Sequence, residues 1–460
     1  MNNFWDYNVW GFMNLLAVLL LSLLAANMLK KWFSLLQKSL IPTSVLGGVI
    51  LLIISGIYKA IFKAEMFDTN FFGGNGTATL EVITYHMLAL GFIASTLKTS
   101  DKKLTKKRTG EIFDTGVTTV SSYLLQAIFG MLISLIVAMI VPSFFKAAGA
   151  LLPFGYGQGT GQAMNYGGIY ENEFGFEGGK SFGLSVAALG FISAALGGVF
   201  HLNLLRRRGK IDWKRSVEGK LRFEEIQSEN EIPMQESIDK LTVQVAFILA
   251  AYLLSYLLMM GLGNVLPGMR SVIYGFNFLL GVLAATLIKL VLNFLTKRSI
   301  IKKTYTNNFL LTRTSNFFFD VMVVAGMAAI RLQVLARYWV VLLIMGIVGM
   351  IITYIYNRLV AVTLFKDYQE EQFLMMYGML TGTASTGTIL LRELDGDFKT
   401  PAAENMVYQN FPAIIFGFPM MLLATLAPVK PWLSLLIFIG FFTVMNVILF
   451  RRQIFLRKKR

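Results

Sequence analysis

Cysteine is absent from this sequence, which excludes a disulfide framework, a zinc-thiolate site, an iron-sulfur cluster and a cysteine nucleophile. Histidine is nearly absent: His86 and His201 are the only two, too few for a histidine-rich metal centre, so no transition-metal site and no cofactor is expected. Neither histidine sits beside a carboxylate at metal-ligand spacing, and the chain reads as a non-enzyme, with an intramembrane enzyme the weakest alternative. Charge is scarce too. Only 15% of the 460 residues are charged and 55% are hydrophobic, whereas a globular protein carries roughly a quarter charged. Length therefore counts membrane spans, not soluble domains.

What charge there is lies in clusters. The net charge of +16 comes from basic groups placed directly beside apolar runs, which is the pattern that sets membrane orientation and not a nucleic-acid surface. Residues 1–8 lack the basic start of a signal peptide and lead into a stretch too long for its apolar segment, so a retained first span is expected.

Apolar stretches long enough to cross about 30 Å of hydrocarbon occupy residues 9–29, 42–62, 80–97, 117–141, 182–205, 241–260, 272–295, 309–330, 339–365, 407–427 and 432–450, eleven in all. Two further stretches, 147–168 and 373–391, are apolar but rich in glycine or threonine. Reading both as re-entrant places Lys30, Lys31 and Lys38, residues 98–108, 206–240 and 297–303, and the tail 451–460 on one side, which the basic bias marks as cytoplasmic. A crossing at 147–168 would put Arg206, Arg207 and Arg208 outside. The expected topology has the N-terminus outside and the C-terminus cytoplasmic, in a bacterial cell membrane.

The predicted fold is an all-α polytopic membrane protein made of two inverted five-helix repeats, residues 1–205 and 241–428. Each repeat has a re-entrant hairpin, 147–168 or 373–391, and five crossings per repeat is an odd number, which inverts the second against the first. The mixed-charge segment 206–240 reads as a solvated linker, and 429–460 as an extra helix with a basic tail. A local echo supports duplication: Met87-Leu88-Ala89-Leu90-Gly91-Phe92-Ile93-Ala94 against Met322-Val323-Val324-Ala325-Gly326-Met327-Ala328-Ala329.

The hairpins carry the candidate chemistry. Alternating glycines in Phe154-Gly155-Tyr156-Gly157-Gln158-Gly159-Thr160-Gly161-Gln162 each cost a helix about 1 kcal/mol, so the backbone is expected to unwind. Unwound backbone at membrane depth offers carbonyls to a cation and amides to an anion. Gln158, Gly159, Thr160 and Gly161, with Thr386, Gly387, Thr388 and Arg392 of the second hairpin, are the expected substrate-binding residues. Hydroxyl and carbonyl oxygens suit a hard cation, so Gly157, Thr383 and Ser385 are candidate sodium ligands. Asn316 and Asp320 join them, since Arg313, Asn316 and Asp320 share one helix face. The alternative for the glycines is close helix packing. For Asp320 it is a structural charge pair, and for Arg392 an orientation charge. Lys289 and Arg358 are read as snorkelling.

At these residues the chain resembles the bacterial glutamate:sodium symporter family. Tyr156-Gly157-Gln158-Gly159-Thr160-Gly161 stands where that family carries a Gly-Gly-His-Gly-Thr-Gly-type motif, and Ile41-Pro42-Thr43-Ser44-Val45-Leu46-Gly47-Gly48 is similar to its Ile-Pro-x-x-Val-x-Gly-Gly lead-in to the second span. Gly382-Thr383-Ala384-Ser385-Thr386-Gly387-Thr388 follows its second-half Gly-x-Gly-Ala-Thr-Pro-Thr pattern loosely. The resemblance covers most of residues 9–427. It implies a homodimer that moves an anionic or zwitterionic small molecule with Na⁺ through membrane lipid by alternating access. Glutamate is the implied substrate, and a hydroxycarboxylate such as citrate or malate is the alternative within transport.

Overall fold

The computed structural model describes residues 3–98, 105–209, 231, 233–234, 237–301, 303–395 and 399–455. Most of the expected linker 206–240, part of the basic segment 98–108 and the tail end 456–460 lie outside these residues. The long elements are all helical: α1 (Tyr7–Trp32), α2 (Thr43–Phe62), α3 (Gly76–Leu97), α4 (Lys106–Ile140), α5 (Leu152–Phe174), α6 (Gly179–Arg207), α7 (Lys240–Val265), α8 (Asn277–Lys297), α9 (Asn308–Ala328) and α10 (Leu332–Leu364). They continue with α11 (Gln369–Thr381), α12 (Ala384–Arg392), α13 (Ala402–Tyr408), α14 (Asn410–Leu426) and α15 (Pro431–Leu449).

Among the described residues, nine helices are long and apolar enough to span a membrane, or ten if the bent pair α13 and α14 counts as one. The protein is a multi-pass membrane protein. Two differences from the eleven expected spans have local causes. Helix α9 is 21 residues long but carries Arg313, Asn316 and Asp320, and it falls outside the nine. The stretch expected as one span at 407–427 is bent by 49° between α13 and α14, because Pro412 has no N–H to offer the carbonyl one turn before it. Basic residues end α1 (Lys30, Lys31), α6 (Arg206, Arg207) and α8 (Lys297), where they also complement the helix dipole.

The chain divides into two compact units, one of residues 1–81, 104–217 and 323–460, the other of residues 82–103 and 218–322. In the second unit, α7, α8 and parts of α3 and α9 share a core of Leu90, Ile93, Leu97, Ile248, Ala284 and Leu311. There His86 Nδ1 meets the Tyr252 hydroxyl at 2.6 Å, and Lys289 Nζ donates to the carbonyls of Thr96 and Lys98, capping the end of α3. Lys240 is 1% exposed yet charged, and its ammonium donates to Glu231 at 2.7 Å, so the pair is buried together, as a desolvated charge requires.

In the first unit, α4 is the axis. It begins eleven residues before the span expected at 117–141: its first residues, Lys106 and Lys107, are exposed, and the buried polar residues that follow find partners on neighbouring helices. Thr115 Oγ1 accepts from Gln372 Nε2 (3.1 Å), Thr119 Oγ1 donates to Gln409 Oε1 (2.9 Å), and Asp114 accepts from Arg451 (2.7 Å). Asn405 Nδ2 donates to both Gln372 Oε1 and the Tyr368 hydroxyl at 3.0 Å. Helix α15, read from sequence as an appendage, packs along α4 and buries Ser434, Phe438, Met445 and Leu449; its Asn446 Oδ1 accepts from Tyr356 at 2.9 Å. Arg358 does not snorkel: its guanidinium forms a two-pronged pair with Glu370 at 2.6 and 3.0 Å.

Candidate functional site

Both glycine- and threonine-rich segments fold back on themselves within the first unit. In α5 the backbone leaves the helix at Gly159 (φ +80°, ψ −172°). The rings of Phe154 and Tyr166 then stack with centroids 3.7 Å apart; in an unbroken helix, twelve residues would separate them by ~18 Å. The limbs are therefore residues 152–158 and 160–174, antiparallel. The second segment breaks at Gly382 and Thr383, both with extended φ near −140°. Helices α11 and α12 pack back to back: a Cβ on Gly378 would lie 2.8 Å from Gly387 Cα, so only glycine at 378 and 387 allows this approach.

The two tips meet. A Cβ built on Gly159 would stand 3.3 Å from Thr383 Cγ2 and 3.8 Å from the Gly382 carbonyl oxygen. Beyond each break a helix begins, at Thr160 and at Ala384, with first-turn N–H groups that have no partner within the helix. Thr160 is fully buried and its hydroxyl has no protein partner; the same holds for Gln158 Nε2 and for both polar atoms of Gln162, which is 1% exposed. Unpartnered buried polar atoms cost about 1–3 kcal/mol each, and four of them gather around the first tip.

Neighbouring helices hold the tips in place. From α4, the Tyr123 hydroxyl donates to the Gly157 carbonyl (3.1 Å) and Gln126 Nε2 donates to the Leu380 carbonyl (2.9 Å). These residues are three apart, hence on one helix face, and each takes a carbonyl released just before a tip. Close glycine contacts seat the first hairpin on α6, where Gly179 meets the backbone of Gly167 and Gly183 that of Ala163. Tyr166 and Tyr170 donate to the carbonyls of Met421 and Ala424 on α14, at 3.0 and 2.6 Å. Tyr123→Phe removes a single neutral hydrogen bond, so a loss of about 1 kcal/mol is expected, read as a small fall in the thermal unfolding midpoint without loss of fold.

The structure thus brings together Gly157, Gln158, Gly159, Thr160 and Gly161 with Thr383 and Thr386, whose hydroxyls lie 3.4 Å apart. Ser385 is half-buried in the first turn of α12. Gly387 serves the hairpin contact, and Thr388 Oγ1 donates to the Ala384 carbonyl (2.9 Å). Arg392 is exposed at the far end of α12, ~13 Å along the helix from the tip at 1.5 Å per residue. Asn316 and Asp320 belong to the second unit, Asn316 exposed and Asp320 half-buried.

Sequence reading missed Tyr123, Gln126 and Asn357. A signal was present for the last two, since a lone carboxamide within an apolar span is expensive and calls for a partner. It also took a Gly-x-Ser-x-Gly run to be absent, whereas Gly179-Lys180-Ser181-Phe182-Gly183 has the spacing of a nucleophile elbow. That run lies inside α6, its glycines serve the contacts just described, and Ser181 Oγ accepts from the Arg331 amide at 3.1 Å. Among the described residues no three histidine or carboxylate side chains converge to hold a metal. The chain matches no protein-family model and no curated protein.

Proposed function

We propose that the chain is a secondary active transporter that carries glutamate or a related small carboxylate together with Na⁺ by alternating access. The observation that carries this reading is the meeting of two interrupted helices tip to tip, Gly159 against Gly382 and Thr383. Paired half-helices of this kind present helix N-termini to a carboxylate while unwound carbonyls and hydroxyls face a cation. Residues 157–162 and 381–388 include no lysine or arginine, which favours a zwitterion over a polycarboxylate needing several cationic partners.

Helix lengths support the inverted duplication. Paired in order, α1 and α7 have 26 and 26 residues, α2 and α8 have 20 and 21, α3 and α9 have 22 and 21, and α4 and α10 have 35 and 33. Each series then reaches its hairpin. In this reading the hairpins are re-entrant, the cytoplasmic side is the one carrying the basic helix ends, and the protein acts as a homodimer in a bacterial cytoplasmic membrane.

The test is uptake of labelled L-glutamate into proteoliposomes under an inward Na⁺ gradient, against K⁺ and pH-gradient controls and against citrate and malate. Concentrative, Na⁺-dependent glutamate uptake is expected. Uptake of citrate or malate alone would replace the substrate; no uptake of any of the three under a Na⁺ gradient would sink the reading.

A further inference from the structure

The crossing of α4 and α10 holds a second set of buried oxygens, distinct from the tips. Gln126 and Asn357 are 0% and 1% exposed. The direction of each carboxamide is set by the carbonyl its NH₂ meets: Gln126 Nε2 donates to the Leu380 carbonyl and to Thr353 Oγ1, both at 2.9 Å, and Asn357 Nδ2 donates to the Thr353 carbonyl at 2.9 Å and to Ser122 Oγ at 3.3 Å. Turning either amide over would set oxygen against carbonyl oxygen, so the assignment is not arbitrary. Gln126 Oε1 and Asn357 Oδ1 are therefore acceptors, and neither meets a donor on the protein.

Several features select the partner. Thr353 bonds to both amides, through its hydroxyl to Gln126 and through its carbonyl to Asn357, so both carboxamides belong to one crossing. The Leu380 carbonyl belongs to the last turn of α11, the negative end of that helix dipole. No carboxylate takes part in these bonds, and divalent Ca²⁺ or Mg²⁺ is held largely through carboxylates. We propose that this crossing binds one monovalent hard cation, Na⁺, with Gln126 Oε1 and Asn357 Oδ1 as ligands. The site differs from the sodium ligands expected at Gly157, Thr383, Ser385, Asn316 and Asp320. Its role in coupling rests on the transport reading: a cation here fastens the Leu380 end of the second hairpin to α4 and α10, so that ion occupancy governs the seating of a tip.

The experiment is a thermal-unfolding titration of the purified full-length protein in detergent with NaCl, ionic strength held constant by choline chloride, with KCl in parallel. In the wild type the midpoint is expected to rise saturably with Na⁺. Asn357→Leu and Gln126→Ala are expected to raise the half-saturating Na⁺ concentration by at least about tenfold, the effect of losing one ligand, and Asn357→Asp to lower it by adding charge. A wild type that responds to Na⁺ no differently from choline overturns the site, since a bound water would then satisfy the two oxygens. So does an Asn357→Leu or Asn357→Asp protein that keeps the wild-type half-saturation; if the leucine variant fails to fold, the aspartate variant decides. Binding is read here without transport. Na⁺ stabilisation lost in these variants, beside a wild type that takes up no carboxylate, would leave the site standing and sink the carrier.

Discussion

Replacing Gly159 by alanine is expected to reduce substrate uptake by at least about tenfold and to lower the thermal unfolding midpoint. Two costs combine. The conformation at Gly159, φ +80° and ψ −172°, belongs to a region essentially restricted to glycine, and forcing another residue there costs about 1–3 kcal/mol. The added methyl would also stand 3.3 Å from Thr383 Cγ2, tighter than an ordinary contact, so the tips would part. Since ~1.4 kcal/mol is a factor of ten in a rate or equilibrium, strain alone brings the effect to that order. Gly440→Ala on α15 is the control, because a Cβ there meets nothing within 4 Å and no loss is expected. Uptake by proteoliposomes and unfolding in detergent read the two costs separately; a Gly159→Ala protein with wild-type uptake would remove the tip contact from the mechanism.

The second large effect is expected where α6, α10 and α11 meet. Glu370 accepts both prongs of Arg358 and lies 3.0 Å from His201 Nε2, while His201 Nδ1 meets the Tyr354 hydroxyl at 2.8 Å. The Glu370 and Arg358 side chains are 12% and 24% exposed, so each charge relies on the other more than on water. Glu370 also sits in the first turn of α11, where the helix dipole favours a negative charge. Arg358→Leu takes the two-pronged guanidinium from that buried charge, leaving it to His201 Nε2, and is expected to cost about 3 kcal/mol, seen as a large fall in the unfolding midpoint. Arg358→Leu combined with Glu370→Leu is expected to be more stable than Arg358→Leu alone, since burial of a carboxylate without its guanidinium partner is then relieved. A double variant as unstable as the sum of the two singles would show the pair to be uncoupled.

Several elements were legible in advance for a common reason. Apolar runs near 20 residues report transfer free energy, which is local, so α1, α2, α7 and α8 lie close to their expected positions. The break in α5 was legible because glycine's freedom is a property of one residue. The start of α4 was not, because Asp114, Thr115 and Thr119 are buried only where Arg451, Gln372 and Gln409 supply partners from the other end of the chain. Arg358 misled for the same reason: position near a span end suggests snorkelling, and only folding brings Glu370 to it. The bend before α14 could have been read from Pro412, had the apolar run not masked it.

The sequence by itself determined that this is a multi-pass helical membrane protein with two weakened, glycine- and threonine-rich segments, because hydrophobicity, charge placement and backbone freedom act over one helix or less. Tertiary structure alone decided that the two tips meet, and which buried polar atoms gain partners there. Gly157 takes its hydrogen bond from 34 positions away and Leu380 from 254. The pairing energy of a desolvated carbonyl depends on what stands within about 3 Å of it, and only the packed fold specifies that.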